Sequence, residues 1–129
     1  MIDIPWRSIL LVEDDHLIAM FEKNCLEKVG CIVTIAHSGE QAVRKVHEHS
    51  GFDLVLMDID LGGGMDGFRT TEEMLSIRHV AILFLSSHTD EDYLERARHL
   101  TPLGCAQKDL AGSALLKQIE QAYGAHCGK

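Results

Sequence analysis

Polar residues suited to phosphate or metal chemistry stand directly after short apolar runs of the chain. The acids Glu13, Asp14 and Asp15 follow the first run, and Asp58 ends a later run one residue after Met57. The ends of the later apolar runs are likewise followed by polar residues, namely Asp60, Ser86, Ser87 and Lys108. Helix capping accounts for Asp15 by itself, because a carboxylate before a helix accepts hydrogen bonds from the first amides. Capping does not account for the whole set.

Carboxylates gathered in one place repel one another, so these acids imply a cation that neutralises them. The donor set consists of oxygen atoms, which favours a hard ion such as Mg²⁺. A carboxylate held beside such an ion can attack phosphorus and form an acyl phosphate. Lysine and serine side chains can then neutralise the phosphoryl oxygens. The set of residues therefore predicts phosphoryl transfer onto an aspartate.

Five short apolar segments predict the strands that position these side chains. They cover Ser8–Glu13, Cys31–Ala36, Asp53–Asp58, Val80–Leu85 and Leu103–Gln107. Their continuous apolar character is typical of parallel strands that are buried on both faces. The carboxyl ends of parallel strands open on one edge of the sheet, where ligands bind. We therefore expect the polar residues to converge at that edge.

Five segments with helical spacing alternate with the strands. The first has a predicted inward face of Ile18, Phe21, Cys25 and Val29 and ends at Gly30. The other four are predicted over residues 38–49, 66–78, 90–99 and 112–123. In the last helix, Leu115 or Leu116, Ile119 and Tyr123 are expected to face inward. The alternation predicts an α/β fold, in which a doubly wound parallel sheet lies between two helical layers.

Composition narrows the function classes for this chain of 129 residues, which is the size of one domain. The formal net charge of −8 disfavours direct binding to nucleic acid, since such binding depends on Lys and Arg. No apolar run is long enough to cross a membrane and no secretory signal is evident, so we expect a cytoplasmic protein. The four widely spaced cysteines favour reduced thiols, and each of the eight histidines is expected to be solvated.

From about Ser8 to Tyr123 the chain resembles the receiver domain of two-component response regulators. The resemblance depends on the order and spacing of several motifs. They are Leu10-Leu-Val-Glu-Asp-Asp15, Asp53-Leu-Val-Leu-Met-Asp-Ile59, Met65-Asp-Gly67, Leu83-Phe-Leu-Ser-Ser87 and Lys108. It implies a (βα)5 flavodoxin-like sandwich with strand order 2-1-3-4-5. It also implies one receiver domain over residues 1–129, with a core of about 8–123 and no output domain in the chain.

In functional terms, the resemblance implies that Asp58 accepts a phosphoryl group from a histidine kinase or a histidine phosphotransfer protein. Mg²⁺ would be held by Asp14, Asp58 and the backbone carbonyl of Asp60, with Glu13 acting through a metal-bound water. Ser86 corresponds to the hydroxyl switch residue, and Lys108 to the lysine that pairs with the phosphoryl group. Such a bacterial signalling domain catalyses only its own phosphorylation and slow dephosphorylation. It regulates an effector protein or an attached output domain, and the sequence leaves homodimer formation on phosphorylation open.

Three departures from the family pattern concern signal output. Lys108 is followed by Asp109, where a proline in a cis peptide is common, and a cis bond before another residue costs about 3 kcal/mol. The geometry of that loop therefore stays open. Cys105 stands where many receivers carry a switching aromatic ring, so we expect the signal to pass through the helix over residues 90–99 instead. Glycines at 62–64 replace a frequent proline and predict a more mobile loop.

Two other functions compete with this interpretation. Asp58 and Asp60 have the spacing of the two aspartates in haloacid-dehalogenase-type phosphohydrolases, which turn over phosphate monoesters. That superfamily normally places the pair after its first strand, whereas here an acidic cluster precedes the pair by more than forty residues. The second alternative is a degenerate receiver that acts as an interaction module without phosphorylation. Degenerate receivers usually lose an acid, the acceptor or the lysine, and this chain retains all of them.

Overall fold

The computed structural model describes residues 6–86, 91–101, 103, 105–107 and 113–127. The strands are β1 (Ser8–Val12), β2 (Ile32–Ala36), β3 (Leu54–Asp58), β4 (Ala81–Ser86) and β5 (Cys105–Gln107). The helices are α1 (His16–Glu27), α2 (Gly39–Glu48), α3 (Gly67–Ile77), α4 (Glu91–Leu100) and α5 (Ser113–Cys127). All strand pairs are parallel, and the order is β2-β1-β3-β4-β5. The predicted fold class and strand order are thus confirmed.

Alternate residues of each central strand contribute to two separate cores, one on each face of the sheet. In β1, Ile9 and Leu11 pack with α1 and α5, whereas Leu10 and Val12 pack on the opposite face. That opposite face is covered by residues of α2, α3 and α4. This division follows from the two-residue period of a strand, and it explains why the central strands are apolar throughout.

The helix boundaries follow local capping chemistry. Ser38 begins α2 by accepting a hydrogen bond from the Gln41 amide at 3.1 Å, and Asp66 begins α3 by accepting one from the Arg69 amide at 2.8 Å. Past the end of α1, Gly30 has a φ of +94°, a conformation that favours glycine. Most predicted boundaries therefore lie within one or two residues of those observed, while α5 continues four residues beyond the expected end at Tyr123.

The predicted inward face of α1 is wrong. The buried residues of this helix are Ala19, Glu22 and Leu26, whereas Phe21 is exposed and Ile18 is only partly buried. The buried stripe thus lies about one residue, or roughly 100°, around the helix from the predicted one. Packing explains the difference, because Ala19 and Leu26 fill the core between α1 and the sheet.

None of the helices in the described part of the chain is long and apolar enough to cross a membrane. The described cysteines Cys25, Cys31 and Cys105 are free thiols. Burial raises the pKa of the Cys105 thiol to about 11, so this group stays protonated at neutral pH.

Candidate functional site

Three carboxylates meet at the carboxyl edge of the sheet. Glu13 and Asp14 follow β1, and Asp58 is the last residue of the neighbouring strand β3. Each offers an oxygen that lies within 4.8 Å of the other two. Glu13 and Asp58 are almost fully buried and Asp14 is partly exposed, so the cluster opens to solvent on the Asp14 side. Parallel pairing of β1 with β3 creates this cluster from residues more than forty positions apart.

Backbone amides orient these side chains. Asp58 Oδ1 accepts a hydrogen bond from the Asp60 amide at 3.0 Å, and Glu13 Oε2 accepts one from the Asp15 amide at 3.1 Å. Asp14 Oδ2 accepts a bond from the amide of Gly62 at 2.9 Å. The Asp15 side chain accepts from Leu17 and Ile18 and caps α1. Of the three consecutive acids, Asp15 therefore caps α1, while Glu13 and Asp14 belong to the carboxylate cluster.

Ser86 lies at the end of β4, beside the strand that carries Asp58. The pairing register places Asp58 opposite Leu85, the residue before Ser86, and Ser86 is fully buried. On its other side, Ser86 pairs with Gln107 of β5. The predicted site residue Lys108 follows Gln107 in the sequence and lies outside the described residues, as do Ser87 and the Lys108–Asp109 peptide. The Asp60 side chain is exposed, and its amide contacts Asp58.

A cavity of about 300 Å³ opens beside the cluster. Its lining residues come from the β1 end, the segment between β3 and α3, and α4. They are Asp14, Ile59, Asp60, Leu61, Gly62, Asp66 and Tyr93. The lining therefore contains three aspartates and one aromatic ring, which belongs to α4. The cavity suits a cation together with a small group bound to it.

The glycine-rich segment after β3 is anchored at two amides. Gly62 donates to Asp14, and Met65 donates to Glu40 Oε2 at 3.3 Å. Gly63 and Gly64 have φ values of +64° and +65°, which other residues rarely adopt. The sequence predicted greater mobility for this segment. The contact of Glu40, a residue of α2, with the Met65 amide could not be predicted from the sequence.

Gly67 brings the start of α3 close to the backbone that carries Asp58. A Cβ at this position would overlap the Asp58 carbonyl oxygen and lie 2.9 Å from the Ile59 Cα. The Gly67 amide also donates to the Ile59 carbonyl at 3.1 Å. Glycine is therefore required here by the close approach of two backbones.

An aromatic cluster connects the cavity wall to β4 and α4. Phe68 is buried, and its ring lies 5.2 Å from that of Phe84 and 5.9 Å from that of Tyr93, measured between centroids. The Arg96 guanidinium carbon lies 4.4 Å from the Phe68 centroid. Tyr93 therefore contacts both the cavity and the core. The contact of Tyr93 with the cavity carried no sequence signal.

His37 departs from the expectation that every histidine is solvated, and its ring stacks on that of the exposed His16. His16 begins α1 and His37 follows β2, and their rings stack with centroids 3.9 Å apart and an interplanar angle of 17°. His37 is partly buried, and its Nδ1 lies 3.0 Å from the Glu13 carbonyl oxygen. No sequence pattern indicated this pair, since the two residues are remote along the chain.

The sequence is similar to a known protein family and to several curated proteins. Residues 9–120 match the response regulator receiver domain family. The transcriptional regulatory protein PdtaR of Mycobacterium tuberculosis is 33% identical over 117 residues, which cover 90% of this chain and 56% of PdtaR. ComA of Bacillus subtilis is 30% identical over 97 residues, covering 70% of this chain and 44% of ComA. The chain thus spans about half the length of these curated relatives.

Solved structures agree with this match. The N-terminal domain of a response regulator/sensory box/GGDEF protein from Carboxydothermus hydrogenoformans has a TM-score of 0.81 and 38% identity. The match covers 93% of this chain and 98% of that domain. The receiver domain of the histidine kinase CKI1 from Arabidopsis thaliana, complexed with Mg²⁺ and BeF3⁻, has a TM-score of 0.78 and 21% identity. It covers 92% of this chain and 90% of that domain, and at this identity it supports the fold alone.

Proposed function

The chain belongs to the response regulator receiver domain family, and on that premise we propose that Asp58 is its phosphoacceptor. Members of this family are generally regulatory rather than catalytic. The observation that carries the proposal is the position of Asp58, which ends β3 with an oxygen within 4.8 Å of oxygens from Glu13 and Asp14. The Asp60 amide orients the Asp58 carboxylate by bonding Oδ1. The other carboxylate oxygen of Asp58 would attack phosphorus.

The donor set of the cluster fits Mg²⁺. All three groups are carboxylates, and hard divalent ions prefer oxygen ligands. Asp14 and Asp58 would hold the ion together with the Asp60 carbonyl, and Glu13 would bind it through water. When bound, Mg²⁺ would neutralise charge on the phosphoryl oxygens.

Phosphoryl transfer would form a bond between phosphorus and an Asp58 oxygen while the bond between phosphorus and a donor imidazole nitrogen breaks. The imidazole leaves as the neutral group after gaining a proton from solvent. Ser86 would donate its hydroxyl hydrogen to one phosphoryl oxygen, and Lys108 would pair with another. The burial of Ser86 beside Asp58 supports its role, since a buried donor needs no reorganisation of water.

An exposed apolar stripe on α1 supports docking of a protein donor. Leu17, Met20 and Phe21 are 83%, 52% and 37% exposed and lie on one face at a spacing of three and four residues. Leu17 is the second residue of α1, which begins after the carboxyl end of β1, three residues along the chain from Asp14. Receiver domains interact with histidine kinases and output domains. We propose that a helical histidine kinase or histidine phosphotransfer domain packs on this stripe.

Residues 8–123 would form the regulatory unit, acting in the cytoplasm on an effector protein or an output domain. Dimer formation on phosphorylation belongs to the same proposal. The relatives PdtaR and ComA are named transcriptional regulators. Identification of the partner that binds the phosphorylated chain would test a role in transcription.

Phosphorylation by a small donor tests the acceptor. Acetyl phosphate or phosphoramidate with Mg²⁺ should add one phosphoryl group, detected by intact-mass spectrometry and located by peptide mapping. Asp58→Asn should abolish the adduct. Asp15→Asn is the matched control, because asparagine retains the α1 cap while a carboxylate outside the cluster is lost.

Three results would contradict the proposal. An adduct that persists in Asp58→Asn without moving to another residue would exclude Asp58 as the acceptor. Sustained hydrolysis of a phosphate monoester would favour the dehalogenase-type alternative. Failure of the parent chain to accept phosphate from both small donors and a histidine kinase would favour an interaction module without phosphorylation.

A further inference from the structure

The stacked imidazoles of His16 and His37 form a feature that phosphoryl transfer does not use. The rings approach from different elements, the first turn of α1 and the junction of β2 with α2. Their centroids are 3.9 Å apart and their planes are inclined by 17°. Two imidazoles at this spacing hold four nitrogens within a small volume beside the acidic end of β1.

Hydrogen bonds hold His37 in a defined orientation. Its Nδ1 lies 3.0 Å from the Glu13 carbonyl oxygen, which can only accept, so Nδ1 carries the hydrogen. In the neutral ring, the lone pair is therefore on Nε2. The His37 backbone amide donates to Gln41 Oε1 at 2.9 Å and holds the main chain as well. A histidine that donates one ring N–H to a backbone carbonyl is the usual arrangement of a metal ligand.

His16 has a backbone position fixed by the start of α1, and its exposed side chain stacks on His37. It is the first residue of α1, directly after the cap Asp15, so its backbone is rigid. Its ring is exposed and can rotate. Two imidazole ligands of a tetrahedral ion, each about 2.0 Å from the metal, have nitrogens about 3.3 Å apart. Chelation requires the exposed His16 ring to turn out of the parallel stack, so that its nitrogen lone pair and that of His37 Nε2 point at one ion.

We propose that His16 and His37 chelate a divalent transition ion of the class of Zn²⁺, Ni²⁺ or Cu²⁺, with water in the remaining positions. Imidazole nitrogen suits these ions, whereas Mg²⁺ prefers oxygen. The negative charge of Glu13, Asp14 and Asp15 favours any cation at this place. The site is distinct in its donor atoms from the carboxylate cluster. It does not depend on phosphorylation of Asp58.

Titration calorimetry of the full chain with Ni²⁺ tests the chelate, with saturating Mg²⁺ present to occupy the carboxylates. His16→Ala should weaken Ni²⁺ binding by at least about tenfold, since even an outer partner of a metal ligand contributes that much. His37→Ala should do the same. His47→Ala, an exposed histidine of α2, and Cys25→Ser, a partly exposed thiol of α1, are the matched controls and should bind as the parent does.

A spectroscopic measurement on the parent chain and on His16→Ala tests the same chelate without requiring His37→Ala to fold. Long-range ¹H–¹⁵N spectra with Zn²⁺ should shift the His37 Nε2 resonance while Nδ1 stays protonated, and His16→Ala should reduce the shift. Unchanged Ni²⁺ affinity in His16→Ala would overturn the proposal. So would Ni²⁺ binding that survives in His16→Ala and disappears in Asp14→Ala, because the ion would then occupy the carboxylate cluster.

Discussion

Removing the charge of Asp14 should stabilise the protein in the absence of Mg²⁺. Asp14 shares the cluster with Glu13 and Asp58, and its Oδ2 also accepts the Gly62 amide at 2.9 Å. Asp14→Asn removes the charge and retains an amide oxygen that can accept this bond. Asp14→Ala removes both the charge and the acceptor. Comparison of the two variants separates repulsion from hydrogen bonding.

The magnitude follows from the geometry of the cluster. Two unit charges at 4.8 Å repel by about 3.5 kcal/mol at an effective dielectric constant of about 20. Asp14 is partly exposed, so water and salt reduce this to roughly 1–2 kcal/mol. The lost Gly62 bond costs about 1 kcal/mol. We therefore expect Asp14→Asn to gain about 1–2 kcal/mol in the free energy of unfolding and Asp14→Ala to gain about 0–1 kcal/mol.

Urea unfolding followed by circular dichroism measures these differences, in EDTA and in Mg²⁺. At one hundred times its dissociation constant, Mg²⁺ should stabilise the parent by about 2.7 kcal/mol. Both variants should lose most of that gain, while Asp15→Asn should keep it. If Asp14→Asn in EDTA is less stable than the parent, the carboxylates do not repel one another and the reasoning fails. Equal Mg²⁺ stabilisation in Asp14→Asn and the parent would place the ion elsewhere.

Two further predictions concern α4 and the buried thiol. Tyr93→Ala should lower the free energy of unfolding by about 1–2 kcal/mol, because the ring packs on Phe68. Beryllofluoride, a phosphoryl mimic, should change hydrogen exchange of the parent most in α4, and a response confined to the strand around Cys105 would contradict that route. Cys105, with a pKa of about 11, should react slowly with iodoacetamide at pH 8 and faster as the pH rises through that value. Peptide mapping measures this rate, and equal rates in folded and urea-denatured protein at pH 8 would refute the burial argument.

Local sequence patterns were sufficient to predict the architecture. Apolar runs bounded by turn residues marked all five strands, and the runs are most continuous in the central strands β1, β3 and β4, which are largely buried on both faces. Capping residues such as Ser38 and Asp66 marked the helix starts, because caps bond amides within three residues. The expected meeting of Glu13, Asp14 and Asp58 also followed, since all parallel strands end at one edge.

Tertiary packing alone decided which face of α1 is buried. The sequence pattern favoured the large residues Ile18 and Phe21, whereas the structure buries Ala19 and Glu22 instead. Hydrophobicity ranks side chains one at a time, but the approach of a helix to a sheet depends on the space between the two backbones. The same limit applies to the contact of Phe68 with Tyr93, which depends on how α4 lies against α3.

Contacts between side chains that belong to different elements could not be predicted from the sequence either. His16 meets His37, and Glu40 holds the Met65 amide, although nothing in the spacing of these residues relates them. A period of two or 3.6 residues specifies a face of one element and carries no information about its neighbour. The order of the strands and the close approach of Gly39 to Met65 and Thr70 bring such residues together. The sequence by itself thus determined the elements and the edge at which the acids collect, while the distances within the site arose from how those elements pack.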